Sequence, residues 1–232
     1  MMKSKLIFAF LFVVLGFIAL QIPINTLAGS RVKFTLFDLF APISGAFLGS
    51  AFGIGAVALM QLINLITHGF GGVDNSSALK LTATLRFLPM IFAVWYFSLG
   101  RKSNILMLLA PALSMILFNL HPIGRQVWFY SLFWLIPFLV WPFRERFLIA
   151  RSLGATMTAH SVGGAMWIWA FNLPVAVWIG LIPVVILERS IFALGISASY
   201  ILMNNVLAII ARQKILTGVF SFDKKYVIKI LR

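Results

Sequence analysis

The chain has 232 residues, 62% of them hydrophobic and 10% charged, with a mean hydropathy of +1.03. Soluble domains are about one-quarter charged, so this composition excludes an ordinary water-soluble domain and points to lipid as the surrounding medium. The net charge of +14 falls in short groups between apolar runs, which sets membrane orientation and argues against nucleic acid as a partner.

A helix needs about 20 apolar residues to cross a hydrocarbon core about 30 Å thick. The first run, LIFAFLFVVLGFIALQIPI, meets that length and follows Lys3 and Lys5. Read as a signal peptide it would have only Thr26-Leu27-Ala28 as a poor cleavage site, and in LAGS it has Ser30 where a lipobox has cysteine. We read it as a retained first span. The next run, FDLFAPISGAFLGSAFGIGAVALMQLINLITHGF, is too long for one crossing and divides near Gly49–Ser50 into a short span and a full one. Gly45, Gly49 and Gly53 recur there every four residues, with Ala41 one step earlier. Such a smooth stripe allows close helix contact, either within the bundle or as a docking face for a partner. Gln61 and Asn64 follow at a spacing that puts them on one helix face.

A glycine-rich connection, THGFGGVDNSS, leads to Arg86 at the start of a span over about 83–99. Arg86 either snorkels to the interface or faces inward toward an anionic group. Further spans are predicted at about 104–120, 127–143 and 149–171. His121 sits in an outer turn between the first two of these, as a contributor to a pocket mouth or to an interface. Within the last, Thr156, His160, Gly164 and Trp167 share a face, and Gly163 and Gly164 leave space beside the imidazole. The region 174–211 would be about 57 Å long as one helix, so a bend or break is expected, with Pro183 and Gly195 as the places. It carries Glu188 and Arg189, charges that in a membrane face a bundle interior or an aqueous cavity.

With the N-terminus inside and eight crossings, Lys3, Lys5, Arg101, Lys102, Arg144, Arg146, Arg151 and the six basic residues of the tail share one side. That is thirteen of the 19 basic residues, which places both termini in the cytoplasm. The expected fold is an all-α polytopic transmembrane bundle of six to eight spans in the cell (inner) membrane. Residues 1–211 form its single domain and 212–232 a basic, solvated cytoplasmic tail.

Chemistry is scarce. Without cysteine there are no disulfides, thiolate ligands or cysteine nucleophiles. The five acids are Asp38, Asp74, Glu145, Glu188 and Asp223, and the three histidines show no metal-ligand spacing. No Gly-Lys-Ser/Thr phosphate loop is present, so ATP-driven work would need a separate subunit. No cofactor or metal is expected. The predicted pocket gathers His160 as a hydrogen-bonding group, Trp167 as a stacking surface, Glu188 and Arg86 as orienting charges, and Asn64 with Gln61 in support.

The stretch FDLFAPISGAFLGSAFG, a polar loop and LRFLPMIFAVWYF resemble the substrate-binding membrane subunits of energy-coupling factor transporters over residues 34–100. The resemblance implies a bundle of mostly six helices that captures a vitamin-like or other micronutrient solute in an outward-facing pocket. It also implies a separate transmembrane coupling subunit and ATPase subunits as partners. Ser44-Gly45-Ala46-Phe47-Leu48-Gly49 and Ala159-His160-Ser161-Val162-Gly163-Gly164 resemble the serine and histidine motifs of rhomboid intramembrane proteases, which implies Ser44 as nucleophile and His160 as base. Pro42, however, stands where that serine motif has glycine, and no His-xxx-Asn segment precedes Ser44. A third reading is a non-catalytic membrane scaffold for cell-envelope partners, using the glycine stripe and the basic tail.

Overall fold

A computed structural model describes residues 2–26, 33–68, 87–98, 105–212 and 223–229. These residues are helical apart from one small hairpin. Arg86 and most of the glycine-rich connection lie outside them.

Helix α1, Met2–Leu20, leads into strands β1, Pro23–Thr26, and β2, Lys33–Thr35. The strands pair antiparallel with Pro23 opposite Thr35, Asn25 opposite Phe34 and Thr26 opposite Lys33. Helix α2, Leu36–Phe40, starts directly after β2, and its Asp38 carboxylate accepts a hydrogen bond of 2.8 Å from the Thr35 amide. Such a carboxylate in the first turn satisfies a backbone donor that the helix leaves open. A 3₁₀ turn, Ala41–Ile43, passes into α3, Ser44–Leu48.

The long run divides where its length required. Gly49 adopts φ +83°, a left-handed conformation that favours glycine, and it separates α3 from α4, Ser50–His68. The two helices fold against each other at this point. A Cβ on Gly53 would lie 2.8 Å from the Gly45 Cα and backbone nitrogen, so the glycine spacing serves a contact inside the chain.

Helix α5, Phe87–Ser98, is followed by a 3₁₀ turn, Ile105–Leu108, then α6, Leu109–Leu120, and the short α7, Pro122–Gln126. A 3₁₀ segment, Trp128–Leu135, continues into α8, Ile136–Val140, and a last 3₁₀ turn, Trp141–Phe143. Helix α9, Leu148–Phe171, occupies the centre, packed against α5, α6, α8 and α10, Val175–Arg212. Its buried positions include Gly154, Ala155, Thr156, Thr158, Ser161 and Ala165, small side chains that let neighbouring backbones approach. Asn172, at φ 47°, ends α9 in the left-handed position common at helix C-termini.

Of the bend or break expected in the last region, the break is absent: α10 runs for 38 residues with Pro183 inside it. Proline's fixed φ is compatible with a helix and removes only one backbone donor, so packing along the helix can carry it through. Gly195 serves close packing, since a Cβ there would lie 2.7 Å from a Leu39 methyl.

Among the described residues, two stretches are long and apolar enough to cross a membrane, Ser50–Thr67 and Val175–Arg212, and shorter apolar helices accompany them. Helix α10 buries apolar and polar residues together and leaves large apolar ones exposed. Its inner face holds Glu188, Arg189, Asn204 and Asn205, while Leu187, Leu194 and Leu202 are each more than 60% exposed on the outer one. Part of the expected solvated tail is also packed. Residues 223–229 turn back onto α10, where Asn204 accepts from the Asp223 amide at 2.6 Å. Asn205 donates to the Tyr226 carbonyl at 3.0 Å and accepts from the Ile228 amide at 2.8 Å, and Val227 is buried.

Candidate functional site

The chemistry-bearing residues converge on a cavity of about 160 Å³. Its walls come from β2 and α2 (Phe34, Asp38), α5 (Pro89, Met90), the 3₁₀ segment (Tyr130), α9 (Thr156 to Trp167) and α10 (Trp178 to Ile196). Five aromatic side chains, Phe34, Tyr130, Trp167, Trp178 and Phe192, face it. An engineered apolar cavity of about 150 Å³ holds a benzene ring, so this space suits a ring-sized guest.

His160 is fixed by two partners. The Trp134 indole N–H donates to its Nδ1 at 2.9 Å, and Tyr130 Oη lies 3.2 Å from its Nε2. An indole nitrogen only donates, so Nδ1 is the acceptor and the neutral ring carries its proton on Nε2. Nε2–H therefore donates to Tyr130 Oη, which leaves the Tyr130 hydroxyl proton for a further acceptor. Gly164 makes this arrangement possible. A Cβ there would come 2.5 Å from Trp134 Cζ2, so any larger residue would push the indole away from His160. Gly163 lines the cavity, where a Cβ would meet only Pro89, at 3.5 Å.

Glu188 and Arg189 pair with each other although they are adjacent on α10, with Glu188 Oε2 3.4 Å from Arg189 Nη2. Arg189 Nη1 also donates to Thr156 Oγ1 at 3.3 Å, and the guanidinium lies 4.6 Å from the Phe192 ring centroid. This leaves valences unused. Glu188 Oε1, Arg189 Nε and Trp178 Nε1 are buried and have no hydrogen-bond partner among the described residues. Their residues are 4%, 8% and 2% exposed, and all three line the cavity.

Of the residues expected at a pocket, His160, Trp167 and Glu188 thus share one cavity, together with Gly163 and Gly164. Asn64 and Gln61 are not among its lining residues. Asn64 Oδ1 instead accepts from Gln21 Nε2 at 3.2 Å and ties α4 to the end of α1. Both residues lie on α4, and their spacing thus brings Asn64 to Gln21 and not to the cavity. His121 caps α7, its Nδ1 accepting from the Ile123 amide at 3.3 Å, and does not line the cavity. Gly45 and Gly53 are committed to α3–α4 packing, and a Cβ on Gly45 would also lie 2.6 Å from the Val94 carbonyl oxygen of α5. Gly49 is exposed at the break.

Ser44 and His160 do not form a catalytic pair. Ser44 Oγ is buried and donates to the Ala41 carbonyl at 2.7 Å, while both ring nitrogens of His160 are engaged by Tyr130 and Trp134. Among the described residues no cluster of histidine and acidic side chains could hold a metal ion. Ser44 is therefore not activated by His160 in this arrangement.

Sequence reading overlooked Asp38, Tyr130, Trp134 and Trp178 as site residues. In WFYSLFW, Tyr130 and Trp134 stand four residues apart, and that spacing on an aromatic-rich segment is the signal that was available. Comparison with known proteins adds nothing to this geometry: no family model, no curated protein and no solved structure matches the chain.

Proposed function

We propose that the chain is a multi-pass protein of the cell membrane that binds a small solute between its helices, as the recognition component of a transport system. One observation carries this reading: residues from five separate segments converge on a single aromatic-walled, ring-sized cavity that contains a fixed histidine and an internal ion pair. Ordinary packing fills interiors to near-crystalline density, and buried charges in a membrane are retained where they serve a guest or an ion.

The multi-pass reading is supported by the exposed apolar surface, and the placement of both termini in the cytoplasm, with six to eight spans, by the grouping of the basic residues. Leu113, Ile116 and Leu120 of α6 and Leu139 of α8 are all more than half exposed, whereas Ser152, Thr156, Thr158, Ser161, Glu188 and Arg189 are buried between the helices. A monomer in water seldom tolerates such continuous apolar area. The chain holds no phosphate-binding loop, so translocation would draw on a separate coupling subunit and ATPase subunits.

The test is mass spectrometry of small molecules that remain bound after purification in native lipid patches, paired with whole-cell uptake of the molecule found. A molecule retained by the native protein and lost from Gly163→Leu, which fills the cavity from an open wall, is the expected result. If nothing is retained and Gly163→Leu has no effect on growth or uptake, the reading fails.

A further inference from the structure

Resting on the solute-binding reading, we infer that the guest is an uncharged, ring-sized molecule whose edge carries a hydrogen-bond donor beside acceptors, as in a carboxamide, lactam or ureide. Size comes first: the cavity of about 160 Å³ takes one six-membered ring with a small substituent. Its walls offer ring faces, with Trp178, Phe192 and Trp167 on the helices that hold the polar groups. A flat guest stacks on such surfaces.

The polar groups then decide the edge. Glu188 Oε1 is an unused acceptor, while Arg189 Nε and Trp178 Nε1 are unused donors. The Tyr130 hydroxyl proton is a third donor, because His160 already occupies the Tyr130 oxygen with Nε2–H. Charge is a different matter from valence. Glu188 and Arg189 compensate each other at 3.4 Å, while Asp38, the other acid on the lining, keeps its charge at a partly exposed position with one oxygen taken by the Thr35 amide. A charged guest would have to be desolvated against a pair whose charges already cancel. A purely apolar guest would leave the buried donors and the acceptor unsatisfied. An amide-type edge meets both requirements: its N–H faces the carboxylate and its carbonyl oxygen faces the N–H groups. The contact between Glu188 and Arg189 is long, and the three orphan atoms are sealed. Guest entry therefore involves a small rotation of these side chains that exchanges part of their mutual contact for contacts to the guest.

The experiment uses the full-length protein in lipid nanodiscs and four probes built on one ring: benzamide, benzoate, benzylammonium and toluene. Ligand-observed NMR titration ranks them. Benzamide should bind at least about tenfold more tightly than each of the others, the difference expected when two or more buried polar atoms gain partners. Trp178→Phe keeps the ring and removes one donor, and should weaken benzamide about three- to tenfold while leaving toluene unchanged. The double variant Glu188→Gln/Arg189→Gln, which leaves the net charge of the site unchanged, should abolish the preference for benzamide over toluene. Toluene binding to both variants verifies that the cavity is intact.

A tighter fit for benzoate, benzylammonium or toluene overturns the ligand class. So does failure of all four probes to bind. Mass spectrometry of the native protein separates the two levels. A retained molecule that is charged or lacks an amide-type edge overturns this class alone, whereas no retained molecule and no probe binding overturns solute binding as well.

Discussion

Alanine at Gly53 and at Gly55 should shift stability in opposite directions, although the two positions lie on the same helix two residues apart. Both substitutions gain the same helix propensity, about 0.8–1 kcal/mol, because both remove a flexible glycine from a helix interior. What differs is the space. A Cβ on Gly55 meets nothing within 4 Å, whereas one on Gly53 falls 2.8 Å from the Gly45 Cα and nitrogen and 2.9 Å from the Ser44 carbonyl carbon. These are backbone atoms of α3, which no rotamer change can move. Carbon contacts relax at about 3.5 Å or beyond, so α3 and α4 must separate by about 0.7 Å. Overpacking of this kind costs about 1–3 kcal/mol, which outweighs the propensity gain over most of its range. The two variants should thus differ by about 2 kcal/mol, or about 4–8 °C in melting temperature for a chain of this size. Thermal unfolding of the full-length protein in one detergent, followed by the loss of monodisperse protein, measures that difference directly. Equal melting temperatures for Gly53→Ala and Gly55→Ala would refute the claim that the glycine spacing serves packing between α3 and α4.

Three other expectations follow from the site and the tail. Glu188→Gln alone strands the Arg189 charge in the interior and should destabilise the fold by about 3–5 kcal/mol, with most of the loss recovered by adding Arg189→Gln; denaturant titration of the double-mutant cycle reads this out. In ¹⁵N NMR of labelled histidine, His160 should be the neutral tautomer protonated on Nε2, and Trp134→Phe, which removes the donor to Nδ1, should allow the other tautomer to appear. Asn205→Ala removes the partners of the Tyr226 carbonyl and the Ile228 amide, so tryptic cleavage after Lys224 or Lys225 should accelerate several-fold over the native chain.

Local chemistry in the sequence went a long way toward this structure, and contacts between distant segments account for what it missed. The helix break at Gly49 was legible because an apolar run of that length needs a turn and glycine tolerates one. The grouping of His160 with Trp167 followed from helical periodicity, and Glu188 stood out because a carboxylate is costly in an apolar run. The mutual pairing of Glu188 and Arg189 was not legible, since helix geometry alone sends adjacent side chains about 100° apart and only their rotamers bring them together. Gln61 and Asn64 show the same limit from the other side: spacing gave them a common face, but not the element that face meets. Tyr130 and Trp134 reach His160 because a 3₁₀ segment folds against α9, and no periodicity within either segment encodes that approach. The continuity of α10 through Pro183 depends on packing along its whole length, which outweighed the local tendency to break.

That continuity has a mechanical side. Pro183 cannot donate to the Ile179 carbonyl, so the hydrogen-bond ladder of α10 lacks one rung there. Trp178 stands before that missing rung and Glu188 and Arg189 after it, so a single helix carries the cavity wall on both sides of the gap. Flexing at Pro183 would change the spacing between the aromatic wall and the ion pair, whereas the C-terminal end of α10 is tied to residues 223–229 through Asn204 and Asn205. The cavity wall on α10 therefore spans a gap in that helix's own hydrogen-bond ladder.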